Sequence, residues 1–138
     1  VRDPVFIRQL DQLQAKVVQS IRDLQKGVVD PSRYTIHFHR YGKDGVMGAW
    51  EPLKTPAHEV GLLIDVVAET PELAEIGCAM ARSILLHVGF EGRKATAGNV
   101  AFPFSPADMP GGPVYSFNIY PLMEVDHPEM LGRLEFAA

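Results

Sequence analysis

The amino-acid sequence predicts an α+β fold in which two main helices pack on a mainly antiparallel sheet. Three observations lead to this prediction. Two segments carry apolar residues at helical spacing, three segments have the pattern of strands, and helices and strands do not alternate as in parallel α/β folds. The chain has 138 residues, 46% of them hydrophobic, which is enough for one domain with its own core. We therefore expect a single domain over residues 1–138, and a ferredoxin-like arrangement is one candidate for it.

The first helix is predicted over residues 3–26. Asp3 is in position to cap it before Pro4, and Gly27 follows its last turn. Apolar residues recur along it every three or four positions: Phe6, Leu10, Leu13, Val17, Ile21 and Leu24. Such a long one-sided stripe requires a partner surface, which could be the sheet, another domain or a second copy of the chain.

Strands are predicted over residues 34–41, 58–68 and 114–120. The first and third alternate between apolar and polar residues, which is typical of half-buried strands. The second has a nearly continuous apolar centre, which favours an interior position in a sheet.

The second helix begins with Thr70 as the N-cap and Pro71 at the first helical position, and it ends at Gly89. Its predicted apolar face runs through Leu73, Ile76, Ala79 or Met80, Ser83 or Ile84, and Leu86. This pattern, with start and stop signals at both ends, makes the second helix the clearest element of the chain.

Composition excludes several classes of function. The formal net charge is -4 and the basic residues are dispersed, so we expect no nucleic-acid partner. The longest apolar run, residues 60–68, is too short for a membrane span, and no secretory signal precedes it. The single cysteine, Cys78, cannot form an internal disulfide, which favours the cytoplasm.

The candidate functional segment covers residues 94–113, which are rich in Gly, Pro and Asn. A loop of this composition is costly to order unless its shape matters. The candidate substrate-binding residues are Arg93, Lys94, Thr96, Gly98, Asn99 and Ser105. In this hypothesis Arg93 and Lys94 anchor an anion, while Asn99 and the Gly98 amide donate hydrogen bonds to a carboxylate or thioester oxygen. A purely structural connection is the alternative.

Two other patterns are weaker indications of a functional site. The glycine-rich residues 42–48 lack the spacing of a phosphate-binding loop, and a hairpin turn at Asp44 and Gly45 is the preferred interpretation. His37 and His39 share one face of the first strand and could hold a metal with His58 or Glu59, but a solvated sheet face explains them as well. We therefore predict no metal site, and the sequence leaves the cofactor and the catalytic residues unassigned.

Several stretches resemble the acyclic terpene utilisation (AtuA-like) family. They are Ala95–Pro106, Gly112–Phe117, Arg2–Pro4, Tyr41–Gly48 and Leu122–Asp126. They occur in the same order and span nearly the whole chain. Pro121 departs from the family pattern, where a histidine is expected, so an acid–base role at that position is in doubt.

The resemblance implies that the chain is the C-terminal part of a longer bacterial catabolic protein, one that acts on a small organic acid or its acyl-CoA thioester. It also implies a partner in an N-terminal domain or separate chain. The chain begins at Val1 rather than Met, which fits a fragment, a processed subunit or a trimmed chain. The alternative hypothesis is a non-catalytic assembly module that forms a homo-oligomer through its first helix and a sheet face.

Overall fold

The computed structural model describes residues 1–96 and 99–132. The α-helices are α1 (Pro4–Arg8), α2 (Leu10–Leu24) and α3 (Pro71–His87), and the strands are β1 (Tyr34–Tyr41) and β2 (Gly61–Ala68). Short 3₁₀ helices occupy Pro31–Arg33, Gly48–Trp50 and Pro128–Leu131. The strands form one antiparallel sheet, so the predicted α+β class is confirmed. None of the helices described is long and apolar enough to cross a membrane.

The first predicted helix is in fact two helices, because the helix is interrupted at Gln9. The predicted N-cap is confirmed, since the Asp3 carboxylate accepts hydrogen bonds from two first-turn amides. At Gln9 the backbone amide donates to the Phe6 carbonyl at 3.0 Å, which tightens the turn, and the side chain donates to the Glu91 carbonyl at 2.8 Å. The break therefore coincides with a tertiary contact that the local pattern does not reveal.

The core lies between α2, α3 and the inner face of the sheet. Its buried apolar residues are Phe6, Ile7, Leu10, Leu13, Val17, Ile21, Tyr34, Val60, Ala81, Leu85 and Phe90. The predicted stripe of the first helix is thus buried, except for Leu24, which is exposed. The partner surface that this stripe requires is supplied by the domain itself.

Helix α3 begins as predicted, with the Thr70 hydroxyl accepting a hydrogen bond from the Leu73 amide at 3.3 Å. Its predicted apolar face is wrong at Ile76, which is exposed. The buried residues of α3 are Gly77, Ala81 and Leu85. Because a Cβ on Gly77 would lie 3.0 Å from Val66 Cγ1, these small residues allow the helix to approach β2 closely.

The predicted third strand, residues 114–120, is wrong. The segment forms no strand in the described chain, and its apolar side chains are exposed. A strand forms only where a neighbour satisfies its backbone groups, and no described segment pairs with this one. A ferredoxin-like arrangement has four strands and is not confirmed by the two that the described residues form.

Candidate functional site

Arg93, one of the predicted anion anchors, is bound to backbone carbonyls. Its Nη1 donates to His87 O at 2.9 Å and to Val88 O at 3.2 Å, at the end of α3. Its Nε donates to Ala95 O at 2.6 Å, and its Nη2 donates to Thr96 O. Arg93 therefore joins the helix C-terminus to the following loop, and this structural role is one that its interpretation as an anion anchor did not include.

The other predicted site residues are only partly brought together. Asn99 is buried, and its side-chain amide donates to Ala95 O at 3.4 Å, next to the Arg93 contact. Lys94, Thr96 and Ser105 are exposed, and the structure gives the side chains of these three no hydrogen bond. Gly98 lies outside the described residues. The substrate-binding role of this set stays a prediction.

An ion pair holds the downstream part of the same segment against α3. Arg82 Nε donates to both carboxylate oxygens of Asp108, at 2.7 and 2.9 Å. The Arg82 guanidinium also lies over the Phe102 ring, 5.9 Å from its centroid. These contacts hold Phe102 and Asp108 against α3.

Cys78 lies on α3, four residues before Arg82. Burial raises the pKa of its thiol, and the negative charge of Asp108 raises this pKa further. Since the thiolate is the nucleophile, the raised pKa disfavours a nucleophilic role for Cys78.

His37 and His39 lie on the outer face of the sheet, as predicted. In the strand register His37 lies opposite Asp65, and His39 Nε2 is 2.8 Å from Asp65 Oδ2. His58 and Glu59 precede β2 and are not among these neighbours. In the described part of the chain no three His, Cys, Asp or Glu side chains are grouped to hold a metal ion.

The glycine-rich segment after β1 contains turns, but it is not the hairpin turn preferred from the sequence, because β1 ends at Tyr41 and β2 begins only at Gly61. Asp44 has a φ of 56°, a left-handed conformation, and a Cβ on Gly45 would overlap the Arg40 carbonyl. Lys43 donates through Nζ to the Ile7 carbonyl at 2.9 Å, so this lysine anchors the loop to the end of α1. The segment has a structural explanation that needs no bound phosphate.

The most unusual surface of the molecule is an apolar arm formed by residues 114–123. Its exposed large side chains are Val114, Tyr115, Phe117, Ile119, Tyr120, Leu122 and Met123. Tyr115 is 87% exposed and Leu122 is 99% exposed. The rings of Phe117 and Tyr120 contact each other, with centroids 4.7 Å apart. Contiguous exposed apolar surface of this kind marks an interaction site.

The sheet has open edges, and the register identifies which backbone groups face them. The Glu69 amide donates to the carbonyl of Arg33, the residue directly opposite, at 3.1 Å. In an antiparallel pair such bonded positions alternate with positions whose backbone groups point outward. The outward positions are Tyr34, Ile36, Phe38 and Arg40 on β1, and Leu62, Ile64, Val66 and Ala68 on β2.

Both edges have outward backbone groups without a hydrogen-bond partner in the described chain, including those of Leu62, Ile64, Val66 and Ala68 on β2. Val1 and Val60 exchange two hydrogen bonds, of 2.8 and 2.9 Å, so the N-terminus lies at the start of the β2 edge. On β1 the Arg40 carbonyl accepts from Lys43 within the turn. The outward backbone groups of Tyr34, Ile36 and Phe38 have no hydrogen-bond partner in the described chain, so β1 offers an open edge over most of its length.

A groove of about 280 Å³ runs beside this open edge. It is lined by Val18, Arg22, Pro31, Ser32, Tyr34, Thr35, Ile36 and His37. Helix α2 thus forms one wall and β1 the other. Tyr34 is buried, and its hydroxyl has no hydrogen-bond partner in the described chain.

Comparison with protein-family models, with curated proteins and with solved structures finds no match to this chain. The site must therefore be interpreted from its own geometry. Sequence reasoning predicted the Arg93 segment but missed the groove beside β1. The one available signal was the alternation in residues 114–120, which indicates a strand without indicating where its partner lies.

Proposed function

We propose that this chain is an assembly module, which joins protein chains through the apolar arm of residues 114–123. The observation that carries the proposal is the exposure of the arm: its aromatic and aliphatic side chains contact solvent rather than the core. Transfer of such surface out of water is the main favourable term in protein association. The polar and charged residues described form no constellation that defines a reaction.

The total surface supports the same conclusion. The chain has 11125 Å² of accessible surface, whereas a compact monomer of 15.2 kDa has about 7,100 Å². The excess of about 4,000 Å² exceeds the roughly 800 Å² that each partner contributes to a standard interface. Association can therefore bury the arm completely and still leave an ordinary surface.

In this proposal the chain is the C-terminal part of a larger bacterial cytoplasmic protein, as the resemblance to the acyclic terpene utilisation family implies. The assembly role then belongs to this part of the protein, and the chemistry on a small acid or acyl thioester belongs to the other part. The single cysteine supports the cytoplasmic setting.

Hydrogen exchange tests the assembly role. In the concentrated protein we expect the backbone amides of residues 115–120 to exchange far more slowly than in a synthetic peptide of the same sequence, because assembly pairs and buries them. Dilution should remove this protection, while the amides of α3 stay protected as an internal control. Exchange at the peptide rate at every concentration would contradict the proposal.

A second candidate function is the binding of a small carboxylate or acyl thioester near Asn99. One observation favours it: the Asn99 amide is buried beside Arg93, yet the hydrogen bond that it makes among the described residues is long, at 3.4 Å. A ligand oxygen would be a better acceptor. If this site exists, small carboxylates or coenzyme A thioesters will raise the melting temperature of the chain, and Asn99→Ala will abolish the rise. The matched variant Gln12→Ala, which removes an exposed side-chain amide on α2, should retain it.

A further inference from the structure

We propose that the arm of a second copy of this chain adds to the sheet along the open edge of β1, as a third strand. This inference rests on the proposed assembly role and names both the partner and the surface that receives the arm. Strand addition of this kind derives its affinity from backbone hydrogen bonds and its specificity from alternate side chains.

The groove selects the β1 edge over the β2 edge. On β1 the outward groups of Tyr34, Ile36 and Phe38 form a continuous row without partners in the described chain, and the groove lies along this row. The outward groups of β2 also lack partners there, but the residues that line the groove belong to β1, α2 and the segment before β1. An unpaired row of this kind is a template for another strand. The arm lacks a strand partner too, so each surface offers what the other requires.

The side chains of the arm suit a strand in this position. If the segment is extended, Tyr115, Phe117 and Ile119 share one face, and Ser116 and Asn118 share the other. The groove has Val18 and Ile36 among its lining residues. The sheet is covered by helices on one face only, so an added edge strand needs one apolar and one polar face. With its apolar face toward α2, the arm meets this requirement.

The polar side of the arm also has suitable neighbours. Ser116 and Asn118 would lie beside Thr35 and His37, which are exposed on the outer face of β1. The groove and the arm are therefore complementary in both their apolar and their polar groups.

A second copy is the partner because one chain carries both halves of this contact. In a two-fold symmetric dimer each arm occupies the β1 edge of the other copy, and the exchange leaves neither an arm nor a β1 edge unsatisfied. Two such strands bury apolar surface on both copies, and the excess surface of about 4,000 Å² per chain is ample for it. Reciprocal exchange of arms thus explains the exposure of the arm, the unpaired β1 edge and the excess accessible surface.

Site-specific cross-linking between two differently tagged chains tests this arrangement. Both chains carry Cys78→Ala, so that the introduced cysteines are the only ones. One chain carries Ser116→Cys on the arm, and the other carries Thr35→Cys on the β1 edge. A short bismaleimide is used, because neighbouring side chains on adjacent strands lie about 5 Å apart when opposite and about 7–8 Å apart on the diagonal.

We expect a cross-linked heterodimer, at a yield at least about tenfold above that of the control pair, because strand pairing raises the local thiol concentration. The control replaces Thr35→Cys with Val46→Cys, at an exposed position in the turn after β1. A single chain with cysteines at both 35 and 116 provides a second measurement. It should form linked dimers and no internally linked monomer.

Three other outcomes would each contradict the inference, and the measurements distinguish them from one another. Internally linked monomers would show that the arm folds onto its own β1 edge. If the wild-type chain sediments as an oligomer without preferential linking to position 35, the assembly role stands and the β1 edge is the wrong surface. If the wild-type chain sediments as a monomer with unprotected arm amides, the assembly role fails as well.

Discussion

Replacement of Phe6 by alanine is expected to lower the free energy of unfolding by about 3–5 kcal/mol, the range for large aromatic side chains in cores. Phe6 is only 1% exposed, and its ring packs edge-to-face against Phe90 with centroids 5.3 Å apart. Since Phe6 belongs to α1 and Phe90 follows α3, the pair closes the domain between two distant parts of the chain. Urea denaturation followed by circular dichroism measures the change.

The matched control for this substitution is Phe104→Ala. Phe104 is exposed, so its removal should change the free energy of unfolding by less than about 0.5 kcal/mol. A loss below about 1 kcal/mol for Phe6→Ala would mean that the aromatic contact between α1 and the end of α3 is not part of the core.

Phe117→Asp is expected to weaken association by about a hundredfold or more. Burial of a phenylalanine is worth about 1.5–3 kcal/mol, and a buried unpaired carboxylate adds a further cost. About 2.7 kcal/mol corresponds to a hundredfold change in Kd. Phe117 is 75% exposed in the single chain, so the substitution should leave the unfolding free energy nearly unchanged. Sedimentation equilibrium measures the Kd.

Val46→Asp is the control for the effect of an added charge. Val46 is 84% exposed and lies in the turn after β1, outside the arm and the groove. The Val46→Asp variant should associate with the same Kd as the wild type. Equal weakening by Phe117→Asp and Val46→Asp would show that net charge, rather than the arm, governs association.

Local signals predicted the parts of the fold that depend on nearby residues. Asp3 and Thr70 were identifiable as caps, because the capping side chain lies two or three residues from the amide it accepts from. The strands containing Tyr34 and Gly61 were also predicted, although β2 begins three residues later than expected. Each of these elements is specified within a short window of sequence.

Other features depended on contacts between distant residues. The interruption of the helix at Gln9 coincides with a hydrogen bond to Glu91. The buried face of α3 differs from the predicted face because Gly77 lies close to Val66. A window of sequence cannot show either contact. The alternation in residues 114–120 was real, but a strand also needs a neighbour, and the described chain provides none.

The candidate site likewise combines features that local sequence predicts with features that depend on distant residues. The composition of the Arg93 segment predicted an ordered loop, and the hydrogen bonds of Arg93 explain how it is ordered. What the loop binds stays a prediction. The open β1 edge was not predictable, because it results from the register of two strands and from the position of α2 beside them.

Sedimentation velocity of the wild-type chain over a range of concentrations tests whether the arm joins two copies of the chain. We expect a concentration-dependent dimer with twice the 15.2 kDa mass of one chain, and its loss in Phe117→Asp but not in Val46→Asp. A single monomeric species at all concentrations, identical for the three proteins, would contradict it.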